Sequence, residues 1–509
     1  MGFFNFFHTM FSFLYYLLLL AIPLMAAVMF HHLKKQQHRR TTLPPGPKPL
    51  PIIGNLHQLD SSNLNVQLWN LSKIYGSIFS LQIGFKPAIV ISSPKLAKEV
   101  LKDHDLDVSS RPPSLGTTRL SYNGFDLIFS PYSEYWREIR KICVVHFFSS
   151  KRISGFYHIR KSEVERMLGK ISEHVSSSKT TNLSEILMSV SSSIVCRIAF
   201  GRRYDDEGAE RSRFHGLLNE IQAIFLAFFV SDYIPFMGWV DRVSGLLDRV
   251  EKTFKELDEF LEGVIEEHEE DHNNGKKGED IVDVLLELKK QGNLSIDITN
   301  DHIKAITMNM LVAASDTTAA TTTWIMTALM KNPRVMKKAQ EEIRSLYGRK
   351  QFIEDEDIEK LVYLKAVIKE TLRYYAPAPL VPREFNKKSR IAGYEIEAKT
   401  IVYVNVFAIH RDPETWKDPE VFDPERFIDS NINFTGQDFE LIPFGAGRRI
   451  CPGIPLGSAS VELITANLLN SFDWEMPQGM KREDIDSEGL PGLARHKKNH
   501  LCLLAKNHI

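Results

Sequence analysis

The chain has 509 residues, 43% hydrophobic and 25% charged, which is the make-up of a globular protein with enough apolar material for a sizeable core. Its 63 basic and 64 acidic side chains leave a formal net charge of -1, so overall charge gives no reason to expect nucleic acid or another polyanion, and a charged partner has to be met by a local patch. The four cysteines, Cys143, Cys196, Cys451 and Cys502, lack CxxC and CxxxH spacing; this argues against a disulfide framework and a cysteine-based zinc site and suits a reducing compartment.

From Phe3 to Leu33 there is no Asp, Glu, Lys or Arg, and Phe11 to Phe30 is long enough to cross a hydrocarbon core as a helix. The run is longer than the apolar region of a cleaved signal peptide and has no basic residues before it, so residues 1–33 read as a membrane anchor. Lys34, Lys35, Arg39 and Arg40 follow, and by the positive-inside rule they hold the downstream body in the cytosol. The prolines between Leu43 and Asn55 favour extended backbone. Residues 34–55 are therefore a basic flank and a stiff spacer, with Leu50, Ile52, Ile53 and Leu56 expected to dock on the body. Residues 56–509 read as one domain without internal repeats.

Within that domain, apolar runs on either side of a Gly/Pro turn predict a hairpin from Ser77 to Ser92. Glu266 to Asp280, dense in charge, is expected to be a solvated, mobile loop between helical segments. Pro333 stands at the start of a predicted helix, and Asp357 to Tyr375 carries apolar residues at helical period and stops before Pro377. The fold class is mainly α with a small β-rich subdomain.

The most informative string is PFGAGRRICPG, Pro443 to Gly453. Its glycines free the backbone to curl around one sulfur, and backbone N–H groups with nearby Arg449 would favour a thiolate at Cys451. A dinucleotide fingerprint fails because the sixth position of GAGRRI is Ile450, and zinc would need further Cys or His ligands at usual spacing. An inert buried cysteine is the ordinary alternative. A thiolate presented this way suits haem iron.

Two further patterns lie upstream. Glu370 and Arg373, three apart on a helix, share a face, which alone reads as an exposed ion pair of little worth. Leu311 to Thr323 sets Asp316 and several threonines in an apolar helix, where a Thr hydroxyl can bond the preceding turn's carbonyl and permit a kink beside a ligand. A small-residue packing face with a polar edge is the alternative. HRDP at His410 to Pro413 resembles a kinase catalytic loop but lacks its companions and is set aside.

At these residues the chain resembles the cytochrome P-450 family, in particular plant microsomal haem-thiolate monooxygenases of the clan 71 type. The likeness runs from the anchor to LPGLARHKKNHLCLLAK near the C-terminus. It implies the cytochrome P-450 fold, haem b as cofactor and Cys451 as the axial iron ligand, which pushes electron density onto the metal and favours O–O cleavage. It also implies that Phe444 packs beside the sulfur, that Trp136, Arg140 and Arg449 reach the haem propionates and that Arg383 joins the haem-binding set. Arg426 of PERF completes a buried structural cluster with Glu370 and Arg373. Asp316 and Thr317 match the acid–alcohol pair that delivers protons to oxygen, although Ala314 stands where the family usually has glycine.

The resemblance further implies electrons from NADPH through a separate cytochrome P-450 reductase, for which Arg137, Lys141 and Arg448 offer a basic docking face. It implies a single-pass endoplasmic reticulum protein with its catalytic body facing the cytosol. The substrate is expected to be a small or medium, hydrophobic plant specialised metabolite, in the manner of branches acting on aldoximes, phenylpropanoids or isoflavonoids. Its pocket is expected around Ser109 to Phe125, Phe225 to Phe236, Ala313 to Thr317, Ala376 to Val381 and the turn near Leu493. Two other readings stay open, a haem-thiolate aldoxime dehydratase or lyase and a non-catalytic haem-binding protein.

Overall fold

The computed structural model describes residues 43–204, 209–275, 278–348, 350–492 and 494–508; the expected anchor, most of its expected basic flank and Leu493 lie outside the described residues. Most of the described chain is helical, and the core gathers around one helix, Asn300–Lys331. A capping box between Thr299 and His302 starts it. It ends before Pro333, which cannot donate back into a preceding turn and instead occupies the first position of the helix Pro333–Tyr347, as the sequence predicts.

The apolar helix Leu183–Phe200 packs along the Asn300–Lys331 helix, and Ile454–Ser471 and Val362–Tyr375 close other sides. From His302 to Met330 every residue is buried except Ala313, Ala314 and Thr317. An apolar helix covered on all sides belongs to the centre of a large domain. A partly exposed face lies halfway along it.

The β-rich part holds a four-stranded sheet in the order Ile78–Ile83, Lys86–Ile91, Ile401–Asn405, Leu380–Glu384. The first two strands are the predicted hairpin, with Ile83 opposite Lys86 across a two-residue turn. Lys86–Ile91 then pairs in parallel with Ile401–Asn405, Ala88 opposite Ile401. A second sheet joins Thr181–Asn182, Cys502–Asn507 and Phe472–Glu475.

Three expectations are corrected. The spacer does dock, with Leu56 packed on the core as expected, but much of the contact is made by backbone: the Pro44 and Pro45 carbonyls accept bonds from Ser80, while Leu50 and Ile52 stay exposed. Gly46 permits this approach, since a Cβ there would lie 2.1 Å from the Ser80 carbonyl oxygen. Most of the supposed loop from Glu266 is helix, because Leu246–Asn273 continues through it; glutamates are good helix formers, and charge density reports exposure more than backbone state. Finally, the helix expected from Asp357 begins at Val362, after a separate short turn Asp355–Ile358.

Candidate haem-thiolate site

Cys451 lies just before the N-terminus of the helix Ile454–Ser471, and its own N–H donates to the Phe444 carbonyl at 3.0 Å, closing the loop. Gly447 has φ +72, and a Cβ on it would sit 2.2 Å from the Leu101 carbonyl oxygen, so only glycine fits this curl. Burial pushes the thiol above its ordinary range, while the N–H groups of Gly453 and Ile454 and the Arg140 guanidinium pull it down. The sulfur thus faces first-turn donors of a helix, an arrangement that favours its anion once a cation is bound. The nearby charge is that of Arg140 and not, as the sequence reading has it, of Arg449. Phe444 is half-buried, 5.3 Å ring to ring from Phe434.

Arg449 is occupied elsewhere. Its guanidinium donates to the carbonyls of Ser109, Ile128 and Ser130 and lies 4.3 Å above the Trp136 ring. Trp136 is buried and gives its indole N–H to Leu127 at 2.9 Å, and Arg140 donates to Ile450 at 2.7 Å. Arg383 is buried beside them, with contacts of 3.1 Å to the Pro382 carbonyl and 3.4 Å to that of Arg449. Arg111, absent from the sequence reading, joins the group through bonds to Ile128 and Pro382.

Burial lowers all of these cations, and repulsion by their neighbours adds to it at Arg383 and Arg449: Arg383 falls well below the arginine range, Arg449 to about 9 and Arg111 to about 10. The acids that act on them are Asp105 and Asp126. A buried guanidinium with little counter-charge around it is costly unless an anion is supplied. The residues therefore fit haem: a sulfur donor at a helix start, and beside it an excess of cations suited to two carboxylates.

On the long helix, Thr317 donates to the Ala313 carbonyl at 2.6 Å, and Thr321, Thr322 and Thr327 bond back in the same way. The helical assignment is unbroken through this stretch. Asp316 is buried. One of its oxygens meets His496 Nε2 at 2.5 Å, and Oδ2 has no hydrogen-bond partner among the described residues. His496 escapes a sequence reading because nothing in its spacing ties a surface-strand histidine to an acid 180 residues earlier.

Glu370 and Arg373 are both 0% exposed, which rules out the surface pair. Arg373 grips the carboxylate with two bonds of 2.6 and 2.7 Å and donates to His410, Pro419 and Val421 carbonyls; Arg426 adds a bond of 3.2 Å to Glu370. His410, from the discarded HRDP string, accepts from the Ile442 N–H at 3.0 Å and faces the Arg373 carbonyl at 3.2 Å. This requires the neutral ring, and burial with the Arg373 and Arg411 charges holds its pKa down to about 3. It ties the Glu370 cluster to the residue that enters the Cys451 loop.

Arg137, Lys141 and Arg448 line one open basic cleft of about 380 Å³ together with Trp136 and Arg140. A larger outer cleft of about 1010 Å³ includes parts of two expected pocket segments, but Arg119, Asp232, Arg242, Asp248 and Glu251 make it charged rather than apolar, and Asp316, Thr317 and Cys451 are not among its walls. Aromatic contacts involve the same segments: Phe129 is 4.7 Å from Phe225, and Phe125 is 4.3 Å from the His302 ring.

Residues 44–504 match the family model described as Cytochrome P450. The chain is 48% identical to 6,7,8-trihydroxycoumarin synthase of Pastinaca sativa over 92% of its own length and 93% of the relative's. It is 46% identical to Cytochrome P450 71B26 of Arabidopsis thaliana, covering 91% and 93%. A solved zebra fish cytochrome P450 shares the fold with a TM-score of 0.73 and 24% identity, over 87% of this chain and all of that one. With its motif loop, its helical core and these relatives in agreement, the chain belongs to the cytochrome P450 family.

Proposed function

We propose that this monooxygenase inserts one atom of O2 into a small, planar aromatic plant metabolite of the coumarin class, using haem b ligated by Cys451 and electrons from NADPH through a separate cytochrome P-450 reductase. The observation that carries the reading is the Cys451 sulfur at a helix start, next to a buried group of arginines short of counter-charge. The substrate class rests on the relatives, which include 6,7,8-trihydroxycoumarin synthase and 5-OH-xanthotoxin synthase of Pastinaca sativa, and on the aromatic rings of Phe125 and Phe225 in the segments expected to line the pocket, with Phe129 packed on Phe225. Planar aromatic ligands favour stacked or edge contacts with such rings.

Bound haem would supply O2 activation, with the thiolate favouring O–O cleavage. The protein's own task is then to place the substrate and move protons. The Thr317 hydroxyl spends its hydrogen on Ala313, so its oxygen is left to accept from a proton-bearing water. Asp316 offers an unpaired Oδ2 on the same stretch of helix, and His496, partly exposed, links its other oxygen to the surface. Arg140, Arg383, Arg449 and Trp136 would hold the propionates, and Glu370, Arg373 and Arg426 hold the fold around them.

The basic cleft of Arg137, Lys141 and Arg448 lies beside the Cys451 loop and suits an acidic reductase surface. Exposed Phe228, Phe236, Trp239 and Val243 lie in one segment, and Phe236 meets Phe85 at 5.8 Å near the end of the spacer. Such an apolar surface suits contact with the endoplasmic reticulum membrane beside the N-terminal anchor. Two experiments test the reading. Cys451→Ala is expected to abolish the thiolate-type spectrum of the reduced carbon monoxide complex, and its retention overturns the ligand assignment. Incubation of coumarins and aldoximes under labelled O2 with reductase is expected to give labelled, hydroxylated coumarin; unlabelled product under argon establishes the dehydratase instead, and no product with no substrate-induced spectral shift favours the binding protein.

A further inference from the structure

We propose that His268, His272, Asp280 and Asp283 form a zinc site that staples the end of the helix Leu246–Asn273 to the start of the helix Ile281–Gln291. His268 and His272 are one helical turn apart and share a face. Asp280 and Asp283 are the two members of a capping box, and each spends one oxygen there: Asp280 Oδ1 accepts from the Asp283 N–H at 2.9 Å, and Asp283 Oδ2 from the Asp280 N–H at 3.3 Å. The remaining oxygens point at the imidazoles, Asp280 Oδ2 at His268 Nε2 (3.0 Å) and Asp283 Oδ1 at His272 Nε2 (2.7 Å).

The tautomer of His268 makes this informative. Its Nδ1 lies 2.7 Å from the Val264 carbonyl and must be the donor, so in a neutral ring Nε2 carries a lone pair facing a carboxylate lone pair. A positive charge has to lie between them, either a proton or a metal ion. Without metal a proton serves, shared between the ring and the Asp280 carboxylate 3.0 Å away. A ring nitrogen fixed by a backbone carbonyl on its far side is also the usual posture of a metal-ligating histidine.

One ligand atom each from His268, Asp280 and Asp283 already lies within 4.8 Å of the others. A tetrahedral zinc with bonds near 2.0–2.1 Å needs ligand atoms about 3.3 Å apart, so these three must draw in, and His272, outside that group but 2.7 Å from Asp283 Oδ1, must turn toward them as the fourth. Two imidazoles and two carboxylates give the N/O set that zinc accepts, whereas calcium and magnesium prefer oxygen alone. The site is within reach of solvent, with His272 30% exposed.

The test is calorimetric titration of zinc chloride into chelator-treated, haem-loaded protein, wild type against the His268→Gln/His272→Gln double variant, with zinc absorption spectroscopy of the loaded wild type. One zinc per chain is expected with two nitrogen and two oxygen neighbours. The double variant should lose that site by more than the roughly 100-fold that disturbing an outer-shell partner alone can cost. Equal zinc binding by both proteins, or none by the wild type, overturns the proposal. An unchanged haem spectrum shows that the double variant folds; if it does not, His272→Gln alone, altering a partly exposed side chain, carries the same comparison.

Discussion

Two buried charged clusters lie on either side of the haem-thiolate loop, and they are built on opposite rules. Around Glu370 the cluster is closed: one carboxylate takes Arg373 in a two-pronged grip, receives Arg426 and the Asp423 N–H, and the leftover guanidinium donors end on backbone carbonyls. Around Arg383 it is open, because Arg111, Arg140, Arg383 and Arg449 are crowded together and repel one another with Asp105 and Asp126 as the acids acting on them. A closed cluster holds a fold together, and an open one reserves its charge for a ligand. Removing a member should therefore have opposite consequences in the two places.

The largest effect is expected from Arg373→Ala, which leaves Glu370 charged and buried without its main partner, a loss of about 3–5 kcal/mol. The measurement is yield of folded holoprotein alongside turnover per haem; normal holoprotein with lost turnover would break the comparison by making the closed cluster catalytic. Acid should unlock the same cluster. The unfolded chain takes up a proton at His410 near 6.5, whereas the folded ring stays neutral until about 3, so stability falls as pH drops through that window. The slope is about 1.4 kcal/mol per pH unit from this group, read as a falling urea midpoint between pH 6.5 and 4.5, and His410→Gln should flatten it.

Arg383→Met should act the other way. Removing one of several repelling cations leaves the ligand-free protein no less stable, but haem is held more weakly by a charged hydrogen bond worth about 1.5–3 kcal/mol, roughly tenfold or more in retention. Haem transfer to an acceptor protein measures it, and a large stability loss without faster haem transfer would show that the open cluster is structural too. The smallest change in the protein itself is expected from Thr317→Ala and His496→Gln. Both should keep haem content and divert electrons to peroxide, the first more than the second, and unchanged peroxide yield would remove both side chains from the proton path.

What the sequence made legible follows from distance along the chain. The Cys451 loop is eleven consecutive residues whose glycines and sulfur carry their own explanation, and the hairpin from Ser77 is equally local. Glu370 and Arg373 are readable as a pair, but their burial is not, because it depends on His410, Pro419 and Val421 arriving from a later segment. Arg111, His410 and His496 carry no sequence signal for the roles they take, since each acts through a partner that only the tertiary fold brings near. The stretch after Glu266 was misread because its composition describes its surroundings rather than its backbone. Leu50 and Ile52 mislead in the reverse sense: they stay exposed, while close backbone approach at Gly46 and the packing of Leu56 dock the spacer.

The parallel pairing of Lys86–Ile91 with Ile401–Asn405 also sets an order of events in time. During synthesis the hairpin is complete about 300 residues before its third strand exists, an interval of roughly 15 to 60 seconds at 5–20 residues per second. Throughout it, one edge of Lys86–Ile91 presents unpaired N–H and C=O groups along a strand of alanine, isoleucine and valine, the kind of edge that recruits other strands. The early part of the chain thus has to wait, shielded, for its later part.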